Sequence, residues 1–175
     1  MQFAKDSFYM ALRERLAGLN PQRTVTVNGV VRPAILVLEN EMPTAQEQLP
    51  DAFYLQWAGA SVLPQHCGGR VLMKMECGIT YVTRGSSQTE IDRGRCLGEL
   101  DIELLSICQP STTEKQDFSA SPSVDLGSTV FWTLPILGDW KLTQDVAESP
   151  SAGGGTWVGR KATIEVFFFP EVSLV

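Results

Sequence analysis

The chain has 175 residues, which is enough for one domain with a substantial hydrophobic core. Hydrophobic residues make up 43% of the chain and charged residues 19%, an ordinary globular balance that argues against extensive disorder. The net charge of −6 argues against sequence-specific or other duplex DNA binding as the main function, because binding to phosphates needs clustered Lys and Arg side chains.

The first predicted element is a helix over residues 6–17, with Asp6 or Ser7 as its N-cap. Its apolar residues recur every four positions, which is typical of a helix with one buried face: Phe8, Leu12 and Leu16. Three charged residues are expected to face water: Arg13, Glu14 and Arg15. Gly18 and Pro21 end the helix.

The next segment reads as a hairpin followed by three strands. Asn28-Gly29 lies between two β-branched runs, and this dipeptide tolerates the positive φ angles of a type I′ turn. The strands are predicted from apolar runs and from alternation, and they cover residues 34–38, 52–58 and 71–81. Between the first two strands a polar segment with two prolines predicts a long loop over about 39–51, and residues 63–69 predict a turn.

A second helix is predicted from a capping box, Ser87-x-x-Glu90, to a stop at Pro110. Its expected core stripe consists of Leu97, Leu100, Leu104, Ile107 and Cys108. The opposite, charged stripe is expected to consist of Asp92, Arg95, Glu99 and Glu103.

The last third of the chain is predicted to hold two strands and two long loops. The segment 128–137 is expected to contain a strand that ends at Pro135, and a second strand covers 160–169. The loops are predicted over about 110–128, which is rich in Ser, Thr and Pro, and about 138–159, which contains a run of three glycines. Strands that follow one another without intervening helices favour a single α+β domain over 1–175, with a mainly antiparallel β-sheet and two helices packed on one face.

Few residues in this chain suggest catalysis or metal binding. His66 is the only histidine, and the four cysteines (Cys67, Cys77, Cys96 and Cys108) form no closely spaced pair, so no metal site and no cofactor are expected. The cysteines are interpreted as small buried side chains in a reducing compartment. A small enzyme or ligand-binding domain using Asp101, Glu99 and His66 is the alternative hypothesis. No apolar stretch is long enough for a membrane span, and no secretory signal is expected.

The second helix contains a surface suited to close contact. Gly94 and Gly98 share one side with Ile102, and glycines in a helix interior suggest a close neighbour, either the sheet or an adjoining subunit. Asp101 lies at the edge of the leucine stripe and is expected to reach a backbone donor or an arginine. Trp57 and Trp132 fit a core, whereas Trp140 and Trp157 are predicted in or beside loops, where aromatic residues often anchor protein contacts. The predicted interface residues are therefore Gly94, Gly98, Asp101, Ile102, Trp140 and Trp157.

The order of elements resembles the phage tail terminator and tail completion (minor tail protein) family of lambda-like siphophages. The resemblance covers most of the chain and concerns the order and character of the elements. The segments that carry it are the N-terminal helix "FYMALRERLAGL", the strand "VLMKMECGITYVTRG", the helix "EIDRGRCLGELDIELL", and the late strands "STVFWTL" and "RKATIEVFFF".

The resemblance implies a structural protein and not an enzyme. Family members form rings, commonly hexameric, that cap the tail tube and join it to the head. The implied partners are further copies of the chain, the tail tube protein and the head-completion protein. The implied location is the virion tail, after assembly in the host cytoplasm. Another head–tail connector or a baseplate subunit would have a similar build and remains an alternative.

Overall fold

The computed structural model describes residues 1–41, 49–67, 70–84, 91–144 and 156–170; for residues 64–67, 70, 142–144 and 156 it describes the backbone alone. In chain order the elements are α1 Gln2–Leu19, β1 Thr24–Val27, β2 Val30–Pro33, β3 Ile35–Val37, α2 Leu38–Glu41, β4 Phe53–Cys67, β5 Arg70–Thr83, α3 Asp92–Ile107, β6 Thr112–Asp117, β7 Val124–Trp132, β8 Ile136–Gln144 and β9 Thr156–Phe168.

The main sheet has the strand order β3-β4-β5-β9-β7-β6, and β8 also pairs with β9. The pair β3–β4 is parallel, and the other pairs described in this sheet are antiparallel. Strands β1 and β2 form a separate hairpin, which turns at Asn28 and Gly29 with φ angles of 51° and 79°. The α+β class with a mainly antiparallel sheet is confirmed, as is the hairpin turn.

The two long helices, α1 and α3, cover one face of the sheet. Alternate residues of β5 and β9 point towards them and are buried, including Tyr81 and Val166. Helix α1 contacts β3 at one end of the strand order and β6 and β7 at the other end, so the sheet curls around it. Apart from Trp157, the buried hydrophobic residues of the two helices and of the sheet belong to one core cluster.

Helix α1 begins at Gln2, earlier than predicted, so Ser7 lies inside the helix and is not an N-cap. The Ser7 hydroxyl donates to the Phe3 carbonyl (2.7 Å) and accepts a hydrogen bond from the Gln116 backbone N–H (2.9 Å). The predicted stripe is confirmed, since these side chains have no exposed surface: Phe8, Leu12 and Leu16. Ser7 thus joins α1 to β6 in addition to the apolar contacts.

The predicted loops over 110–128 and 138–159 are wrong. The first contains β6 and the start of β7, with a turn at 118–123 between them. The second contains most of β8 and the start of β9, although residues 145–155, including the three glycines, lie outside the described residues. These strands escaped prediction because backbone hydrogen bonds along the neighbouring strands hold them, so their outward side chains need no apolar alternation.

Strands β7 and β8 continue each other along β9. Trp132 pairs with Val166 and Ile136 pairs with Thr163, so the three residues between β7 and β8, which include Pro135, oppose two residues of β9. The Thr133 N–H also donates to the Glu165 carbonyl at 3.1 Å. Pro135 therefore lies in a bulge and does not end the sheet, as proline commonly does where a ladder hydrogen bond is missing.

The predicted loop over 39–51 and the predicted turn over 63–69 are both shorter than expected. A short helix, α2, occupies the start of the first segment, and residues 42–48 lie outside the described residues. Strands β4 and β5 run on to Cys67 and Arg70. Strand β5 meets the end of β9 at Met73, which also pairs with Val62 of β4. Strands β4 and β5 therefore project beyond β9 as a two-stranded arm, residues 63–67 and 70–72.

Helix α3 buries its predicted core stripe of Leu97, Leu100, Leu104, Ile107 and Cys108. Two predictions about charged residues are wrong. Glu103 does not face water, because its carboxylate accepts hydrogen bonds from Asn20 Nδ2 (2.7 Å) and Arg23 Nε (2.8 Å). Arg15 also turns inward, and its Nη1 donates at 2.9 Å to the carbonyls of Ile107 and Gln109. It thereby pairs carbonyls that the end of α3 leaves without intrahelical partners.

The predicted capping box, Ser87 and Glu90, lies outside the described residues.

Candidate interaction surfaces

Asp101 fastens α3 to the sheet. The Tyr81 hydroxyl on β5 donates a hydrogen bond to Asp101 Oδ1, and Arg160 Nε on β9 lies 3.3 Å from the same oxygen. Burial raises the pKa of Tyr81, and the hydrogen bond to Asp101 raises it further, so the phenol remains a donor. Asp101 therefore reaches an arginine, as expected. Both of its contacts lie within the chain, however, so the carboxylate that was predicted for an interface already has partners in its own subunit.

The three residues of the alternative enzyme hypothesis do not form one site. Glu99 is exposed and lies two positions from Asp101, which places the two carboxylates on nearly opposite sides of the helix. The backbone of His66 pairs with Val71 in the arm, and its side chain lies outside the described part of the structure. Val71 is ten positions from Tyr81 along β5, or roughly 33 Å at about 3.3 Å per residue.

Gly94 and Gly98 face open space. A Cβ atom built on either one would meet no described atom within 4 Å outside the backbone of its own helix. The hypothesis that the sheet packs closely against these glycines is therefore wrong, and the adjoining subunit remains a prediction. Beside them Ile91 and Ile102 are 66% and 67% exposed. We define the outer face of α3 as Ile91, Gly94, Arg95, Gly98, Glu99 and Ile102.

The two tryptophans that were predicted in loops both lie in strands. Trp140 belongs to β8 and is 56% exposed, so its ring remains available for contact. Trp157 belongs to β9 and is only 6% exposed, and the Arg84 guanidinium carbon lies 4.1 Å from its ring centroid. A cation over an indole face at this distance is a stabilising arrangement. The structure therefore retains Trp140 as a surface candidate and places Trp157 inside.

The sequence reasoning missed an apolar patch on the sheet face that points away from the helices. Ile136 pairs with Thr163, which alternates with the buried Ala162 and Ile164, and Ile136 is 75% exposed. On the same face the rings of Phe131 and Phe167 stack with their centroids 5.1 Å apart. We call Phe131, Ile136 and Phe167 the open sheet patch. Its signal was the run of phenylalanines at the end of β9, since strand alternation buries Phe168 and turns Phe167 to the opposite face.

A second missed surface is the β1–β2 hairpin. Val30 and Val31 are both exposed, at 62% and 65%. The base of the hairpin is held by Glu41, which is 2.8 Å from Arg32 Nη1 and accepts a hydrogen bond from the Tyr9 hydroxyl at 3.0 Å. Burial, with a smaller effect of the Glu41 charge, raises the pKa of Tyr9 to about 12. Successive residues of a strand point to opposite faces, so these two valines lie on the two sides of the hairpin, and we call the pair the hairpin patch.

The described residues contain no group of three or more His, Cys, Asp or Glu side chains that could hold a metal ion. Of the four cysteines predicted to be buried, Cys77 and Cys108 are buried, Cys96 is only half-buried, and the side chain of Cys67 lies outside the described residues. Burial raises the pKa of the Cys77 and Cys108 thiols, which disfavours the reactive thiolate. Within the same residues no helix combines the length and apolar character of a membrane span.

No protein family model matches the chain, and a search of curated proteins found no match.

Proposed function

We propose that the protein is a structural virion assembly component that resembles a phage tail terminator. In this proposal several copies form a ring, commonly hexameric in the family it resembles, that caps the tail tube and joins it to the head. Its partners are further copies of itself, the tail tube protein and the head-completion protein. The proposal rests on the element order, on the α+β fold that accompanies it, and above all on the two apolar patches.

Two different apolar patches are the observation that carries the proposal. Val30, Val31 and Ile136 are exposed, and Phe131 and Phe167 are half-buried. A ring needs a heterologous interface, in which one patch of each subunit contacts a different patch of the next. The hairpin patch directly precedes β3, at one end of the strand order, whereas the open sheet patch belongs to β7, β8 and β9. Since β4 and β5 separate β3 from β9 in that order, the two patches are distinct surfaces that can bind different neighbours at the same time.

The β4–β5 arm is a suitable contact for a second protein. It extends beyond the end of β9, it carries the exposed Val71, and the exposed Val62 lies at its base. A two-stranded arm without a covering layer gains stability when another protein covers one of its faces. We assign the arm to contact with the tail tube or with the head-completion protein.

The ring is tested by native mass spectrometry and negative-stain electron microscopy at several concentrations. We expect wild-type rings, and we expect Val31→Glu and Ile136→Glu each to abolish them, because a charge in an apolar interface must be desolvated. A matched control is Val124→Glu, which changes an exposed β7 valine outside both patches. In a mixture of the two variants, the intact open sheet patch of Val31→Glu can still bind the intact hairpin patch of Ile136→Glu. Pairs of unlike chains should therefore form, but no rings.

Binding to a tail tube protein separates the terminator from the other virion components. A terminator should bind the end of a polymerised tail tube and stop its growth, whereas a baseplate subunit or a different connector should not. A strict monomer with no affinity for tail tube protein would refute the proposed function.

A further inference from the structure

The outer face of α3 exposes two large apolar side chains to solvent. Ile91 and Ile102 stand with two thirds of their surface in water, at 66% and 67%, while the opposite side of the same helix supplies the core. Between them the two open glycines leave a shallow depression, and the exposed side chains of Arg95 and Glu99 lie beside it. Two isoleucines, one cation and one anion thus surround a smooth strip of backbone.

These residues are arranged symmetrically about one point of the helix. The three pairs Ile91 and Ile102, Gly94 and Gly98, and Arg95 and Glu99 all have their midpoints between positions 96 and 97. If a second copy of α3 lies antiparallel to the first about that point, each pair member faces its counterpart on the other copy. Isoleucine then meets isoleucine, glycine meets glycine, and arginine meets glutamate twice.

We propose that the outer face of α3 binds the same face of a second copy of this chain, across a twofold axis that passes the outer face at the level of residues 96 and 97. The charges support this occupant because they are self-complementary only in the antiparallel arrangement, where both Arg95–Glu99 pairs form between the copies. The glycines reduce the distance at which the helix axes meet, since that distance depends on the side chains at the contact. The exposed isoleucines then become buried on both copies.

This contact is isologous and does not depend on the proposed ring. A twofold contact closes after two subunits, so it cannot itself build a ring, whereas a ring uses two unlike patches. In a ring-forming protein the α3 contact would join two rings or two subunits back to back. In a protein that forms no ring it would produce a dimer.

Charge reversal tests the contact and its direction. Sedimentation equilibrium should show that Arg95→Glu and Glu99→Arg each weaken self-association on the order of tenfold or more, because like charges then face each other twice. An equimolar mixture of the two variants should recover association, since every facing pair is again of opposite sign. The double variant R95E/E99R should also associate like wild type. If neither the mixture nor the double variant recovers association, the proposal is overturned.

Glycine substitution tests the close approach. Gly98→Leu should abolish the association while the chain stays folded, as judged by circular dichroism, because a side chain at this position has open space in the monomer. The matched control is Gly18→Leu in α1, where an added Cβ also meets no described atom within 4 Å but where no symmetric pattern surrounds it. Its association should equal that of wild type.

The outcomes separate this contact from the ring. Twofold association that is sensitive to Gly98→Leu but not to Val31→Glu or Ile136→Glu supports the α3 contact even if no ring forms. Rings or other oligomers that are unaffected by Gly98→Leu and Arg95→Glu would refute the α3 contact and leave the ring proposal standing. A wild-type chain that stays monomeric at all accessible concentrations would overturn the α3 contact as well.

Discussion

The two long helices have similar amphipathic sequences, but the fold treats them differently. Helix α1 lies in the curl of the sheet, where Phe8 contacts the rings of Trp57 and Trp132, and its polar residues are bonded to β6, α2 and the end of α3. Helix α3 has an equally buried inner side, but its outer face carries exposed isoleucines over open glycines. The difference teaches that a helical apolar stripe predicts one buried side and says little about what the other side must do.

The largest expected effect is the difference in lost stability between truncating a core side chain of α1 and truncating a surface side chain of α3. Phe8 has no exposed surface and lies edge-on to Trp132, with ring centroids 5.1 Å apart. Phe8→Ala should therefore lower the free energy of unfolding by about 3–5 kcal/mol. Ile102→Ala should change the value by less than about 0.5 kcal/mol in the monomer. Urea denaturation measures both, and equal losses would contradict the contrast.

The next effect concerns the two glutamates of α3. Glu103 is buried against Asn20 and Arg23, whereas Glu99 is exposed. We expect Glu103→Gln to cost about 1–2 kcal/mol, because Arg23 loses its partner and a buried acceptor loses its charge. The control Glu99→Gln should stay within about 0.5 kcal/mol of wild type. Indistinguishable midpoints in urea would mean that Glu103 does not link the helices.

Alkaline pH should weaken the links of both helices together. Burial raises the pKa of all three tyrosines, Tyr9, Tyr54 and Tyr81, above the ordinary value of 10.0. Above pH 10 the unfolded chain releases phenolic protons that the folded chain retains, so stability is fully present below pH 10 and falls as the pH rises.

Phenolate absorbance in the ultraviolet, followed together with unfolding, checks this expectation. We expect little phenolate in the folded protein just above pH 10 and a cooperative appearance on unfolding. Tyr9→Phe, at the α1 link, and Tyr81→Phe, at the α3 link, should each reduce the loss of stability with pH. Each should cost about 1 kcal/mol at neutral pH through its lost hydrogen bond. Free titration of all three phenols in the folded state at pH 10 would refute the assignment.

The smallest expected effect is a gain in stability at α3. Gly98→Ala should stabilise the dilute monomer by about 0.5–1 kcal/mol, because alanine has the better helix propensity and the position is open. Gly159→Ala in β9 is the contrasting variant, since its Cβ would lie 2.7 Å from Val82 Cγ1 and 2.9 Å from the Tyr81 carbonyl oxygen. It should destabilise the protein. Thermal denaturation at low concentration should show opposite signs, and a loss at Gly98 would reveal a neighbour within the chain.

Prediction of the fold from the sequence succeeded where one face of an element is apolar and the other polar. The stripe through Phe8, Leu12 and Leu16, the alternation of β5, and the leucines of α3 each report a single buried face. Prediction failed for β6 and β8, whose backbones pair with neighbours while their side chains remain largely outside the core. Lys115 shows the difficulty, because this buried lysine in β6 donates to the Phe169 carbonyl at 2.6 Å in a segment that was predicted as a loop.

Prediction of the candidate surfaces was mixed for a related reason. The helical spacing correctly placed Gly98 and Ile102 together on one side of α3, since spacing determines which residues share a face. The spacing could not tell whether a neighbour in the chain covers that side. Val31 and Ile136 were missed because an apolar residue in a strand has the same pattern whether the sheet face it occupies is covered or open.

By itself, the sequence determined the local conformations: the helical stripes, the Asn28-Gly29 turn and the α+β character. These depend on interactions between residues close in the chain and on the apolar period. Only the tertiary structure decided that Glu103 and Arg15 turn inward, that Asp101 is occupied by Tyr81 and Arg160, and that the outer face of α3 stays open. The reason is physical, because hydrogen-bond partners and solvent exposure depend on which distant elements meet, and no local pattern encodes that meeting.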